Sequence, residues 1–340
     1  MTDRLLELDG IRVDFPTRHG AVRAVDGVSL DVARNEAVGL VGESGSGKST
    51  LGRVALRLQP LTAGRVHFAG DDITSWRGAQ LRALRRRFQM VLQDPLAALN
   101  PRMSVGDIIG EPLHALFGVR GAEQRARAAA VLDRVHLPAH MLARYPHELS
   151  GGQAQRVGIA RALVVQPDLV VADEPVSSLD ASVAAQILAL LAELKADEGI
   201  AYLVISHDLS LVRHLCERVA VMYLGRIVEE GPAEQIFRSP SHPYTAALLS
   251  ATPGARGADG ARRTRIVLSG DLPDPTAIPS GCRFRTRCPI GPVAEPSRVR
   301  CIEDDPVLGP SGQGHAAACH HTEAVAELVD GSARDAQEVS

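Results

Sequence analysis

Apolar and polar positions change period several times along this chain, and each change marks an element. LLELDGIRVDF (Leu5–Phe15) and AVRAVDGVSLDV (Ala21–Val32) alternate apolar with polar side chains and carry Gly and Asp at the breaks, which predicts short β segments joined by turns. EAVGLVG, ending at Gly42, is a short apolar run of the kind that forms a buried strand feeding a loop, and STLGRVALRLQ supplies a helix closed by Pro60. GRVHFAGDDI reads as another strand, and QLRALRRRFQMVLQ as an arginine-rich helical face running into a strand. From about residue 95 to 160, Ala, Arg and Leu recur at helical spacing, as in EQRARAAAVLDRVHL, which predicts a helical insertion. After it, strand DLVVAD, helix AAQILALLAELKA, strand AYLVIS, helix DLSLVRHLC and strand RVAVMYLG alternate. That order predicts an α/β core with a parallel sheet. Beyond about Gly231 the periodicity weakens: Ser239–Gly314 is heavy in Pro, Gly and Arg, and Thr322–Ser340 reads as a short helix that frays.

Composition narrows the class. At 340 residues the chain holds one large domain plus extras. A formal net charge of -3 and 3% aromatic residues supply neither a basic footprint nor a stacking surface, so free nucleic acid is not an expected ligand. No run approaches the 18 or so apolar residues of a membrane span, and MTDRLLELDG lacks the plan of a secretion signal, so a soluble, cytosolic chain is expected. Of the five cysteines, four follow residue 280, which in a cytosolic protein predicts free thiols or a metal site before disulfides.

Candidate chemistry begins at Gly42–Ser49, GESGSGKS, a G-x-x-x-x-G-K-[ST] match between a predicted strand and a predicted helix. Gly42, Gly45 and Gly47 let the backbone wrap with its N–H groups inward, and Glu43, Ser44 and Ser46 complete the loop. Lys48 brings a point charge to the β and γ phosphates, Ser49 offers a hydroxyl to Mg²⁺, and Thr50 lies in the first turn of a helix whose positive end faces the anion. Asp173 and Glu174 end the run DLVVADEP. A carboxylate at a strand's carboxyl end can hold Mg²⁺, which suits Asp173, and Glu174 can accept a proton from an attacking water. Taken alone, the pair equally describes an acidic turn.

LSGGQAQRVGIARAL, Leu149–Leu163, resembles the signature motif of ABC-transporter ATPases, and the rest of that family's motif set follows in order. VLQDP resembles the family's glutamine loop through Gln93, SSLD the loop joining two ATP sites through Asp180, and VISHDLSLV the switch segment through His207. The resemblance covers most of residues 1–235. It implies a P-loop NTPase (RecA-like) α/β core with an antiparallel β subdomain and a helical insertion at about 95–160, followed by a cysteine-containing extension over 236–340. It also implies that two such domains pair head to tail, the signature residues Ser150, Gly151, Gly152 and Gln153 of each closing over the ATP held by the other. On this reading Glu174 is the base, His207 contacts the γ-phosphate, Gln93 ligates Mg²⁺ and reports to the membrane subunits, and Phe15 stacks on adenine unless it is an ordinary core side chain.

LQDPLAALNPRMSVGDIIGEPL and SPSHPYTAALLSATP resemble the oligopeptide/dipeptide importer ATPases, and VGESGSGKSTLGR with LNPRM leans toward the second, F-type ATPase of those systems. What this implies is a heteromeric pair with a homologous ATPase, two membrane-spanning permease subunits, an indirect link to a solute-binding protein, and a peripheral place on the cytosolic face of the membrane. The cargo expected is a di- or oligopeptide; nickel, an opine or another non-peptide solute is the alternative, which no residue here excludes because an ATPase subunit does not touch the cargo, and a non-transport ABC ATPase fits less well with one domain and a short insertion. The tail spacing of Cys282, Cys288, Cys301 and Cys319 resembles that group's cysteine-bearing tail. Four thiolates suit a [4Fe–4S] cluster, suit Zn²⁺ with His315, His320 or His321 as substitutes, or remain reduced thiols packing the tail. Cys216 reads as a small core residue, and Arg283, Arg285 and Arg287 as alternating positions on an extended, solvated face or toward an anionic partner.

Overall fold

The computed structural model describes residues 3–17, 20–252, 264–312 and 314–335. It opens with β1 (Arg4–Thr17) and β2 (Gly20–Ala33), then β3 (Ala37–Val41) and α1 (Lys48–Ala55). β4 (Ala63–Phe68), β5 (Asp71–Asp72), α2 (Gly78–Leu84) and β6 (Phe88–Val91) follow. The helical insertion consists of α3 (Pro95–Ala98), α4 (Val105–Phe117), α5 (Gly121–Arg134) and α6 (Gly151–Leu163). Alternation then resumes through β7 (Leu169–Asp173), α7 (Ala181–Glu198), β8 (Ala201–Ser206), α8 (Leu209–Leu215), β9 (Arg218–Tyr223) and β10 (Arg226–Pro232). The remainder carries α9 (Ala233–Arg238), α10 (Pro243–Ala251), α11 (Arg300–Glu303), β11 (Gly309–Pro310), β12 (Ala316–Ala317) and α12 (Thr322–Asp335). Of the fraying helix expected over Thr322–Ser340, residues 336–340 lie outside the described residues.

Two sheets result. One is antiparallel, in the order β2-β1-β4-β5; the other runs β11-β12-β10-β9-β3-β8-β7-β6. Strands β9, β3, β8, β7 and β6 are mutually parallel, and β10, β12 and β11 extend them as an antiparallel edge. The apolar runs read as buried strands are apolar because both of their faces are covered. Alternate side chains Val38, Leu40, Leu169, Val171, Leu203 and Ile205 join the core under the antiparallel sheet, whereas Val170, Ala172, Tyr202 and Val204 join the core shared with the helical insertion. Because β3, β7 and β8 are parallel, residues 42, 174 and 207 leave the sheet at the same edge.

The extension folds onto the core. β12 pairs with β10 at Glu229↔Ala317 and Glu230↔Ala316, and the expected boundary at residue 235 falls inside α9. Phe284 packs between Tyr223 of β9 and Tyr244 of α10, at 5.2 and 5.4 Å between ring centres. Arg283–Arg287 form turns, not the extended solvated face expected. Buried Arg283 donates to Leu224 O at 2.5 Å and pairs with Asp26 of β2, and Arg287 pairs with Glu43; only Arg285 stays within the tail, on Ser280 O at 2.8 Å. Burial pushes the Asp26 carboxyl up, but Arg283 with Arg226 and Arg23 more than reverses this and holds it below the usual carboxylate range.

Fully buried Glu229 is a second seam. Its carboxylate accepts from the backbone N–H of Ser241 (2.6 Å) and His242 (3.1 Å) and faces His315 Nε2 at 2.7 Å. His315→Ala removes one of these partners from a buried carboxylate and is expected to cost about 2 kcal/mol, read as a lowered Tm of the full chain. An unchanged Tm would show that the pair contributes nothing to attachment of the extension.

Candidate functional site

The loop after β3 is shaped by the strands it lies against. Gly42 and Gly47 have φ of 154° and 105°, and a Cβ on either would strike backbone oxygen: Met222 O of β9 for Gly42, Ala24 O of β2 for Gly47. Ser44 and Gly45 are exposed, Glu43 and Gly47 are partly so, and Ser46 is buried with its carbonyl accepting from Gly225 N at 2.9 Å. Lys48 is buried at the head of α1. Its Nζ donates to Gly42 O (2.7 Å), Glu43 O (2.8 Å) and Ser46 Oγ (3.4 Å). Burial pulls the Lys48 ammonium down from its ordinary value, against the pull of Glu174, Asp173 and Glu43. Thr50 follows in the first turn of α1.

Across the sheet edge, Ser49 Oγ donates to Asp173 Oδ1 at 2.8 Å. Burial raises the Asp173 carboxyl, and the Ser49 bond offsets part of that rise. Glu174 turns the chain out of β7 with φ of 51°, a left-handed conformation uncommon for a residue with a side chain, while its N–H is held by Ile205 O of β8 at 2.9 Å. His207, one residue past β8, places Nδ1 2.6 Å from Glu174 Oε2. The pairing of base candidate and switch candidate has no local sequence signal; it follows from the parallel β7–β8 register, in which Asp173 is opposite Ile205. Gln93 is exposed two residues past Val91, which pairs with Ala172, so it leaves the sheet beside Asp173. Phe15 is partly buried and packs on the core under the antiparallel sheet. Between them, the parallel strand ends supply an anion-shaped loop, a lysine, a hydroxyl–carboxylate pair and a carboxylate–imidazole pair.

The residues expected to face a second nucleotide stand apart. Ser150 caps α6 through a reciprocal pair, its Oγ accepting from Gln153 N (3.3 Å) and its N–H donating to Gln153 Oε1 (3.0 Å). Asp180 caps α7, accepting from Ser182 N and Val183 N at 3.1 and 2.9 Å, which lowers its carboxyl pKa. Among the described residues no hydrogen bond or ion pair joins Ser150–Gln153 to the chain's own phosphate loop.

The tail cysteines converge without closing on a metal. Cys282, Cys288, Cys301 and Cys319 line one small cavity with His320 and His321. Burial, reinforced by neighbouring thiols, pushes Cys282 up to about 11 and Cys288 and Cys319 to about 12; burial raises Cys301 as well. Among the described residues, however, no group of three or more His, Cys, Asp or Glu is arranged to hold a metal ion. The donor chemistry of a [4Fe–4S] or zinc site is present, and an assembled ligand set is not. His315, one of the expected zinc substitutes, is committed to Glu229. Cys216 is buried in the main core, which raises its thiol.

Gly152 carries a second constraint besides approach to an anion. A Cβ there would lie 2.5 Å from Val183 Cγ1 of α7, so the small residue sets how closely the signature helix meets the helix capped by Asp180. Gly152→Ala is expected to destabilise the chain by about 1–3 kcal/mol, and Val183→Ala in the same chain to recover most of it, both read by thermal denaturation. A Gly152→Ala variant that melts like the wild type would show that this contact is not constraining.

Known proteins share both halves of this arrangement. Residues 25–177 match the family described as ABC transporter, and residues 228–292 match the family described as oligopeptide/dipeptide transporter, C-terminal region. A putative peptide import ATP-binding protein of Brucella ovis is 47% identical over 315 residues, covering 93% of this chain and 97% of that protein. The oligopeptide transport ATP-binding protein AppF of Bacillus subtilis is 46% identical over 94% of this chain and 97% of its own length. For the dipeptide transport ATP-binding protein DppF of Haemophilus influenzae the figures are 44%, 93% and 96%. Among solved structures, a dimeric ATP-binding cassette in a post-hydrolysis state with ADP and Pi is 30% identical, with a TM-score of 0.61 over 67% of this chain and 98% of that one. cbiO1 from Clostridium perfringens, part of an ABC transporter complex, gives 28%, 0.62, 69% and 91%. The solved cassettes cover about two thirds of the chain while the curated relatives run through the extension as well, and on that basis the chain belongs to the ATP-binding proteins of ABC transporters, in the oligopeptide/dipeptide-transporter group.

Proposed function

We propose that the chain is the ATP-hydrolysing subunit that powers an importer of dipeptides or oligopeptides, and that Glu174 is its base. The observation that carries the chemistry is the convergence of Lys48, Ser49, Asp173, Glu174 and His207 at one edge of a parallel sheet. The cargo class is supported by the 228–292 match and by the peptide-import names of the relatives. Ser49 and Asp173 offer the hard oxygen donors that Mg²⁺ takes, with Gln93 beside them; bound there, the ion supplies charge neutralisation for the phosphates. Lys48 leaves the Gly42 and Glu43 carbonyls for the β and γ phosphates. Glu174 accepts the proton of the attacking water. His207 fixes one oxygen of that carboxylate, so the base meets the water from a set position, and in this reading its imidazole also contacts the γ-phosphate.

Ser150, Gly151, Gly152, Gln153 and Asp180 then serve the ATP of a partner chain. The N-terminus of α6, capped by the neutral Ser150 and followed by two glycines, suits that role because its dipole favours an approaching anion, while Asp180, an ionised cap on α7, serves as the link between the two ATP sites. The partner is a homologous ATPase, and the pair works beneath two permease subunits on the cytoplasmic face of the membrane, with a solute-binding protein acting through them. No described helix is long and apolar enough to cross a membrane, which fits an arrangement in which the spans belong to other chains. Phe15, partly buried on the first sheet, is the adenine contact in this reading.

Glu174→Gln, assembled with its partners, is expected to keep ATP binding, to lose hydrolysis by at least about a hundredfold, and to accumulate the ATP-bound paired state on size-exclusion chromatography. Hydrolysis at the wild-type rate would remove Glu174 from the role of base. For the tail, we keep the [4Fe–4S] cluster as the reading to be tested against Zn²⁺ and against reduced thiols that pack the tail: the four thiols share one cavity, although they are not arranged there as a ligand set. Anaerobically purified full chain is expected to be brown, with about four iron atoms per chain by metal analysis. Colourless protein with one zinc, or with no metal, would overturn the cluster.

A further inference from the structure

We infer that Arg287 and Tyr244, both in the C-terminal extension, are positioning residues for the phosphate loop, and that they act on ATP affinity through Glu43. The inference rests on the nucleotide-site reading above and concerns how the extension takes part in it.

Glu43 is the second residue of the loop, and three of its polar groups are held. Its N–H donates to the Tyr244 hydroxyl at 2.7 Å. Its carboxylate receives a two-pronged bond from Arg287, Nη1 to Oε2 at 2.8 Å and Nη2 to Oε1 at 3.2 Å. Its carbonyl accepts from Lys48 Nζ. Two of these three partners come from residues more than 200 positions away, and both sit in well-packed surroundings. Tyr244 is fully buried against Tyr223 and Phe284, and the Arg287 side chain is only 10% exposed.

Two consequences follow from charge and geometry. An unpaired Glu43 carboxylate beside the phosphates of ATP would repel them, in a partly buried place where water screens poorly; the Arg287 guanidinium neutralises it with a planar fork that matches both oxygens. Lys48 must also move off the Glu43 carbonyl when phosphate arrives. With its N–H and carboxylate still tied to the extension, Glu43 keeps its place while the ammonium turns. Glu43 thus presents a held backbone and a cancelled charge to the incoming nucleotide.

The test measures binding of a fluorescent ATP analogue to the full-length chain, with folding of each variant checked by circular dichroism and melting. Arg287→Ala is expected to weaken binding roughly tenfold, Arg287→Lys by about threefold, and Tyr244→Phe by about threefold. Arg285→Ala, a neighbour bonded within the tail, is expected to bind as the wild type does. The decisive variant is Glu43→Gln combined with Arg287→Ala: removing the repelling charge should return affinity to near the wild-type value and weaken its dependence on salt. Wild-type affinity in Arg287→Ala would overturn the inference, as would a loss that Glu43→Gln fails to rescue, since that pattern belongs to a purely structural residue. A wild-type chain that binds no analogue would instead overturn the nucleotide-site reading, and this inference with it.

Discussion

The two ends of the phosphate loop are pressed against neighbouring backbone. Backbone oxygens of Ala24 and Met222 stand where side chains at Gly47 and Gly42 would be, so the loop takes its shape from β2 on one side and β9 on the other. Those strands belong to different sheets, and the loop is where the sheets meet. Tight packing of this kind makes a catalytic surface out of backbone: the positions of Lys48 and Ser49 are set by the loop, that of Asp173 by the register of β7, and that of Glu174 by the bond to Ile205 O. Nucleotide chemistry and sheet assembly are in this sense one constraint.

The extension joins that constraint from the third side, and it does so with charges and aromatic rings more than with an apolar core of its own. Asp26, buried on β2, gathers Arg283 and Arg226 from distant segments, and Glu229 gathers the start of α10 and His315. Tyr223, Tyr244 and Phe284 form the packed centre of the seam. In a chain with 3% aromatic residues, placing three of them here shows where large, rigid contact area is most needed. Buried ion pairs add little net stability when compared with apolar packing, but they tolerate few alternative partners, so a seam built from them specifies one docking geometry.

Legibility in the sequence tracked the range of the interactions. GESGSGKS was readable because the glycines, the lysine and the serine act within eight residues of each other, and the buried strands were readable because coverage on two faces demands continuous apolar runs. Arg283 and Arg287 were harder for the opposite reason: their spacing suggests a solvated stripe or an anionic partner without saying which, and only Asp26 and Glu43, 257 and 244 residues away, decide for the partner. Two-residue strands such as β11 and β12 are too short to show any period. The Glu174–His207 pair was readable as two separate motifs but not as a contact, since strand register brings them together. The tail cysteines were visible as a cluster, and the fold gathers them around one cavity without drawing them into a ligand set.

The way the main sheet ends has a bearing on the solution behaviour of the chain. β10 presents a seven-residue edge that would otherwise offer open backbone groups to any passing strand, and β12 occupies part of it while Ala318 N takes the Val228 carbonyl at 2.8 Å. β11, outside β12, consists of Gly309 and Pro310, and proline has no N–H with which to continue a ladder. The extension is therefore also a terminator. A chain cut after β10 would expose that border to other strands at the same time as it lost the Tyr244 and Arg287 contacts to Glu43, so protection of the sheet edge and support of the phosphate loop are supplied by the same segment.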